Sequence, residues 1–356
     1  MQLFGNQMEW AKAFALLQII GEGNICIYKD SDEGEMPYPV TQLIRNDECG
    51  TIIYHLGPSN VSIKRGNSET VEIAREECRN AAIEIFSALQ TMPSKEFSVP
   101  ACESILETLY FSDFSSTSTD KSDFSVLYFD PEKEITQRQE ITVCQQSEWY
   151  ILPANRANNL KFDILNVKFS NPESNRINKI DGDQEVRQRL TEIYRLGGKL
   201  KYTTTENKFF LENLYMIDLH FPKLLAEITR LFYTSGLSAI HEITDEIKKS
   251  NPYKIKDELI CKNNFYEYKV KQFLYALTTG MRPTKRYRGY GTPRTFAIIG
   301  TNGEITILDP AQRVTFDNYL FQNTRLFIGD CQTHKFGFIE KENGQWFIKL
   351  NIAMKI

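Results

Sequence analysis

Two acids, Asp123 and Glu140, stand in KSDFSVLYFDPEKEITQRQEITVCQQ, residues 121–146, which reads as two extended segments joined by a turn. Phe124, Val126 and Tyr128 alternate against Asp123, Ser125 and Leu127, while Ile141 and Val143 alternate against Glu140, Thr142 and Cys144. Both runs therefore read as strands, and the last three side chains must emerge together. Two carboxylates on neighbouring strands suit a hard divalent cation, because Mg2+ is satisfied by one or two protein carboxylates, waters and the substrate's own phosphate oxygens. Bound there, it would polarise a phosphorus and acidify a water, which is the chemistry of phosphodiester hydrolysis. A lysine two residues after the second acid would position or deprotonate that water. Position 142 is threonine instead, and no lysine occurs between Lys133 and Lys161. Arg138 and Arg156 lie in that interval, but a guanidinium stays protonated at neutral pH. Taken alone, acids at strand ends are more often solvated than catalytic.

A second stretch offers positive charge. GMRPTKRYRGYGTPRTF, residues 280–296, holds Arg282, Lys285, Arg286, Arg288 and Arg294 with no acid, interleaved with Tyr287 and Tyr290. That is a phosphate-facing composition, or else a solvated basic loop between a helix and a strand. The net charge of the chain is −4, so polyanion binding would be local to this segment. Asn155, Arg156, Asn158 and Asn159 follow the second strand and could donate to a DNA backbone, or simply open a polar helix. Glu103 and Glu107, four apart on an expected helix, share a face. One of them could add a third carboxylate, although an exposed pair is the simpler reading. The seven cysteines are scattered without metal or disulfide spacing and read as buried thiols, and the four histidines are too far apart in sequence for a local metal site.

The elements that must position these groups are legible in outline. Asn6 and Glu9 have the form of a capping box, followed by Trp10, Ala13, Phe14 and Leu17 at helical spacing. Residues 25–63 read as short strands and turns, 68–90 as a helix, and a further helix starts near Pro100. The hydroxyl-rich residues 112–122 read as a loop. Helices are expected at 184–196, 223–235, 238–249 and 266–279, and Asn302-Gly303 and Asn343-Gly344 predict hairpins in a β-rich end. At 356 residues, with 41% hydrophobic and 25% charged, the chain can bury a large core. No run is apolar and long enough to span a bilayer, and the start MQLFGNQMEW lacks signal-peptide features, so the expected location is the cytoplasm.

The opening FGNQMEWAKAFALLQIIGEGNICIY, the run TDKSDF, then ILPANRANNLKF, EYKVKQFLYALTTGM and the ending HKFGFIEKENGQWFIKLNIAMKI together resemble the HpaII-type restriction endonucleases, in the same order along most of the chain. The resemblance implies a nuclease of the PD-(D/E)xK superfamily: an α+β fold with a mixed sheet flanked by helices, and a Mg2+-dependent cut in double-stranded DNA at a short palindrome of the CCGG kind. Asp123 falls on the family's metal-binding aspartate. On the second strand the family carries a polar residue, one spacer and a lysine. The match allows Glu140-Ile141-Thr142 or Thr142-Val143-Cys144, and neither contains the lysine. The basic residues that precede the family's aspartate are replaced by Phe114-Ser115-Ser116-Thr117-Ser118.

Two outcomes follow. In one, the protein is an active type II endonuclease with Asp123, Glu140 and Thr142 at the catalytic site and Mg2+ on the two acids. Its DNA contacts would come from Asn155, Arg156, Asn158, Arg282, Lys285, Arg286 and Arg288. A homodimer would be expected for a palindrome, and a cognate DNA methyltransferase for the system. In the other, it is a catalytically silent DNA-binding homologue or a non-catalytic partner subunit. An unrelated α+β protein would have to match at both termini by accident. The expected division places a nuclease-like core in 1–170 and a helical, β-rich region for DNA recognition in 171–356.

Overall fold

The computed structural model describes residues 3–29, 37–92, 95–111, 122–289, 291 and 294–356. The fold is mixed α+β around a sheet core. In chain order the strands are β1 (Asn24–Ile27), β2 (Pro37–Asp47), β3 (Gly50–Leu56), β4 (Asn60–Arg65), β5 (Val71–Ala74), β6 (Phe124–Asp130) and β7 (Ile135–Gln145). They continue with β8 (Asn159–Leu165), β9 (Lys199–Thr205), β10 (Thr295–Ile299), β11 (Ile305–Leu308), β12 (Arg325–Leu326), β13 (Ile339–Glu342), β14 (Gln345–Asn351) and β15 (Met354–Lys355). The first helices are α1 (Gln7–Glu22), α2 (Arg75–Thr91) and α3 (Glu103–Thr108).

The chain packs as two compact units, residues 1–149 with 293–316, and residues 150–292 with 317–356. The first is built on a nine-stranded sheet ordered β1-β11-β10-β7-β6-β2-β3-β4-β5. Because β1 also pairs with the start of β2, six of these strands close on themselves. β7 runs antiparallel to β6 and parallel to β10. β10, flanked on both edges, is buried at all five positions, as its sequence TFAII allows.

α1 begins where its capping box requires. Asn6 accepts from the Met8 and Glu9 amides, and Glu9 accepts from the Asn6 amide at 2.7 Å. The helix ends at Gly23, whose φ of 67° is left-handed. α1 packs between α2 and strands β1, β7 and β10, and Trp10, Ala11, Ala13, Phe14 and Leu17 are buried in the same core as Val126, Ile141 and Val143. The Trp10 indole donates to the Phe97 carbonyl at 3.0 Å, so this buried N–H has an acceptor inside the core.

The second unit carries a four-stranded antiparallel sheet, β13-β14-β8-β9, and the helices Glu185–Arg195, Phe221–Ser235, Ile240–Ser250 and Phe265–Thr278, close to their expected bounds. Both Asn-Gly hairpins form, and Asn343 and Gly344 have φ of 48° and 83°, as a type I′ turn needs. Three expectations change. Residues 71–74 extend as β5 along β4 before α2 starts, because Val71 and Ile73 find a strand edge to pair with. The C-terminal region also contains the helix Arg313–Asn323, so it is not purely β. The cysteines are free, but Cys49 and Cys261 are exposed and Cys26 is half-buried, leaving Cys78, Cys102, Cys144 and Cys331 in the interior. No helix among the described residues is long and apolar enough to cross a membrane.

Candidate active site

The β6–β7 hairpin sets both acids by register. Phe124 pairs with Ile141 and Ser125 with Glu140, so the candidate residues lie at the end of the hairpin away from its turn. Asp123 stands one residue before β6. Its amide donates to the Ile141 carbonyl at 2.7 Å, and its carboxylate Oδ2 accepts from the Val143 amide at 2.8 Å. The strand backbone therefore fixes this acid from two sides. Its Oδ1 is met by Lys12 Nζ of α1 at 2.8 Å.

Glu140, whose side chain is exposed, has other partners. Ser122 donates to Oε2 at 2.9 Å and Ser125 reaches both oxygens at 2.8 Å. Arg138, two positions back on the same strand face, donates Nε at 3.1 Å and Nη2 at 2.9 Å to Oε1. Burial disfavours the Glu140 charge, but the hydroxyls of Ser125 and Ser122 and the Arg138 guanidinium outweigh it and hold the carboxyl below its usual range. Ser122 is the residue before Asp123, so this hydroxyl ties Glu140 to the backbone that carries the other acid.

Ile141 and Val143 point into the core, as the alternation predicts. Thr142 is half-buried opposite Phe296 of β10. Burial pushes the Cys144 thiol up to about 12, with the Asp123 charge adding to the shift and Arg294 and Lys12 opposing it. Arg294 is exposed, so two cations, Arg294 and Lys12, act on this end of β7. Glu107 is exposed and Glu103 half-buried, with Glu103 Oε1 lacking a hydrogen-bond partner among the described residues. The segment Phe114–Ser118 and Lys121 lie outside the described residues. Lys161 is paired with Glu342.

The asparagine run lies in the second unit and forms a polar joint between strands. Asn155 caps a short turn by accepting from the Ala157 amide at 2.8 Å, and Arg156, its side chain 62% exposed, is paired with Glu206 at 2.7 Å. Asn158 is fully buried and donates to the carbonyls of Pro153 and Ile352. Asn159 donates to Glu206 and His334 and accepts from Asn351.

The basic segment is more than a solvated tail. Asn213, only 1% exposed on the helix Lys208–Ile217, donates to the carbonyls of Arg282 at 3.0 Å and Lys285 at 2.8 Å, and accepts from the Tyr287 amide at 2.8 Å. Arg282 Nη1 turns back to the carbonyls of Leu277 and Met281, both at 2.8 Å, covering the end of the helix Phe265–Thr278. Lys285, Arg286 and Arg288 remain solvent-facing, with Arg286 loosely paired to Glu212 at 3.3 Å.

A family model described as HpaII restriction endonuclease matches residues 6–356. The chain belongs to the HpaII restriction endonuclease family. The chain is 29% identical to the type II restriction enzyme HpaII of Haemophilus parainfluenzae over 99% of its own length and 98% of that enzyme's. No solved structure matches.

For this member of the HpaII family, sequence reasoning missed Lys12, Ser122, Ser125, Arg138 and Asn213 as participants. Only Lys12 left a signal, as the one cation inside the apolar run of α1. Among the described residues no three His, Cys, Asp or Glu side chains form a metal cage. Asp123 and Glu140 nevertheless offer oxygen donors only, which suits Mg2+, an ion that keeps waters and takes its remaining ligands from substrate phosphate.

Proposed function

We propose that this chain is a type II restriction endonuclease that hydrolyses double-stranded DNA at a specific sequence, with Asp123 and Glu140 as Mg2+ ligands and Thr142 beside them. The observation that carries this reading is that both acids stand at one end of the β6–β7 hairpin, with Ser122, the chain neighbour of Asp123, donating its hydroxyl to Glu140, in a chain of the HpaII family. The relative from Haemophilus parainfluenzae is named as a type II restriction enzyme. A PD-(D/E)xK-type core, a CCGG-like target, a homodimer on a palindrome, a cognate methyltransferase and a cytoplasmic location complete the proposal. In it the N-terminal region carries the chemistry. DNA is read through Lys285, Arg286 and Arg288, with Arg282 bracing their segment on the Leu277 and Met281 carbonyls; Asn155 and Arg156 are exposed and add contacts, while the buried Asn158 holds their turn by donating to the Pro153 carbonyl.

The reaction is hydrolysis of one bridging P–O bond. Water oxygen bonds to phosphorus and gives a proton to solvent, and the leaving oxygen takes one up. Mg2+, when bound, polarises the phosphoryl group and acidifies water. The chain's part is to hold Asp123 rigid through the Ile141 carbonyl and Val143 amide, and to keep Glu140 ionised through Ser122, Ser125 and Arg138.

A second reading has its own support. Each carboxylate already holds a protein cation, Lys12 on Asp123 and Arg138 on Glu140, as would suit a silent DNA-binding homologue or partner subunit. Incubating a plasmid rich in CCGG and related sites with Mg2+ or Mn2+, beside Asp123→Ala, separates the two. Discrete fragments that the variant does not produce establish the nuclease. An intact plasmid that is nonetheless shifted in a gel establishes the silent form.

A further inference from the structure

The strand expected to carry a lysine has none, yet a lysine arrives at the acid from α1. Lys12 sits between Ala11 and Ala13, both 0% exposed, on a helix fixed by its cap and by burial of Trp10 and Phe14. Packing, not a loose loop, therefore delivers its ammonium to Asp123 Oδ1. The other carboxylate oxygen is held by the Val143 amide, so the pair is constrained on both sides. Its side chain is 25% exposed and that of Asp123 12%, which means that both charges have given up much of their hydration. Such a pair returns little net stability, and an apolar residue would suit so buried a helix better. A cation at position 12 is thus poorly explained by folding alone.

We propose that Lys12 supplies the ammonium that the second strand lacks, facing the phosphate addressed by Asp123 and stabilising the charge that develops on its oxygens. This rests on the reading of Asp123 and Glu140 as the hydrolytic site. Lys12 has three N–H donors and uses one on Asp123, leaving two for phosphate oxygens. The bonds made and broken are those of the hydrolysis above. In the free protein Lys12 also competes with any added cation for Asp123.

The test uses the full chain and Lys12→Met, with Lys12→Arg beside it. Duplex affinity is measured in Ca2+, single-turnover cleavage in Mg2+, and Tb3+ binding by luminescence without DNA. We expect Lys12→Met to bind the duplex within about twofold of the parent but to cleave it about 10²–10³-fold more slowly, the usual cost of losing one preorganised donor. Added methylammonium should restore part of that rate, and Lys12→Arg should cut faster than Lys12→Met. Tb3+ should bind Lys12→Met several-fold more tightly, since its competitor is gone.

Cleavage by Lys12→Met within about threefold of the parent overturns the proposal, as does unchanged Tb3+ affinity. If Lys12→Met does not fold, Lys12→Gln is read in the same way, and failure of both to fold makes Lys12 a packing residue and overturns it too. If the parent protein cuts nothing in Mg2+ or Mn2+, the hydrolytic reading falls and this proposal with it. A parent that cuts alongside an equally active Lys12→Met removes only the role of Lys12.

Discussion

The Arg138 guanidinium lies against the Glu140 carboxylate two positions further along the same strand, with both Nε and Nη2 on the one oxygen Oε1. The pair is exposed on both sides, its side chains 56% and 55% accessible, so its contribution to stability is small. Its consequence is for charge at the acid. Arg138→Ala should therefore melt close to the parent protein while binding Tb3+ more tightly, and Glu140→Gln should lose both Tb3+ binding and Mg2+-dependent cleavage. Unchanged Tb3+ affinity in Arg138→Ala and Glu140→Gln together would remove Glu140 from the cation site.

Asn213 holds the basic segment by three backbone hydrogen bonds. Asn213→Ala leaves those groups without their partner, a loss of about 1–3 kcal/mol for buried groups. The expected result is faster tryptic cleavage after Arg286 or Arg288 and weaker duplex binding, with kcat on saturating DNA unchanged. Parent-like proteolysis and affinity would show that the segment keeps its shape without this clamp.

The solvent-facing cations and Arg282 should separate experimentally. Alanine at Lys285, Arg286 and Arg288 together should weaken binding to all duplexes and flatten the salt dependence, by about 0.9 in the log–log slope for each phosphate that is no longer neutralised. Arg282→Ala should instead lower the melting temperature, because its guanidinium covers carbonyls at a helix end. A full salt slope in the triple variant would place the DNA surface elsewhere.

Thiol chemistry provides a check on the core. Burial raises Cys78 to about 12 and Cys102 to about 11, from an ordinary 9.0. A folded-state value above the unfolded one means that these thiols stabilise the fold fully below pH 9.0, and that this contribution is lost as pH rises through about 11 and 12. Denaturant midpoints should accordingly fall across that alkaline range. At pH 8, a maleimide should label Cys49 and Cys261 rapidly while Cys78 and Cys102 stay protected until unfolding. Fast labelling of Cys78 in the folded protein would contradict the burial.

Sequence alone determined what depends on a few neighbouring residues. The Asn6–Glu9 capping box fixed the start of α1, the alternation around Phe124 and Ile141 fixed the strands that carry the two acids, and the Asn-Gly pairs fixed two turns. Each is a local preference of backbone and side-chain period, readable without knowing the rest of the chain. Tertiary structure decided what surrounds the acids. Lys12 meets Asp123 only because α1 is buried against β7, Ser122 reaches Glu140 only through the hairpin register, and β10 returns from the far end of the chain to lie parallel to β7. Nothing in the spacing of these residues encodes their meeting, since pairings between distant segments are chosen by how the whole apolar surface can be buried at once.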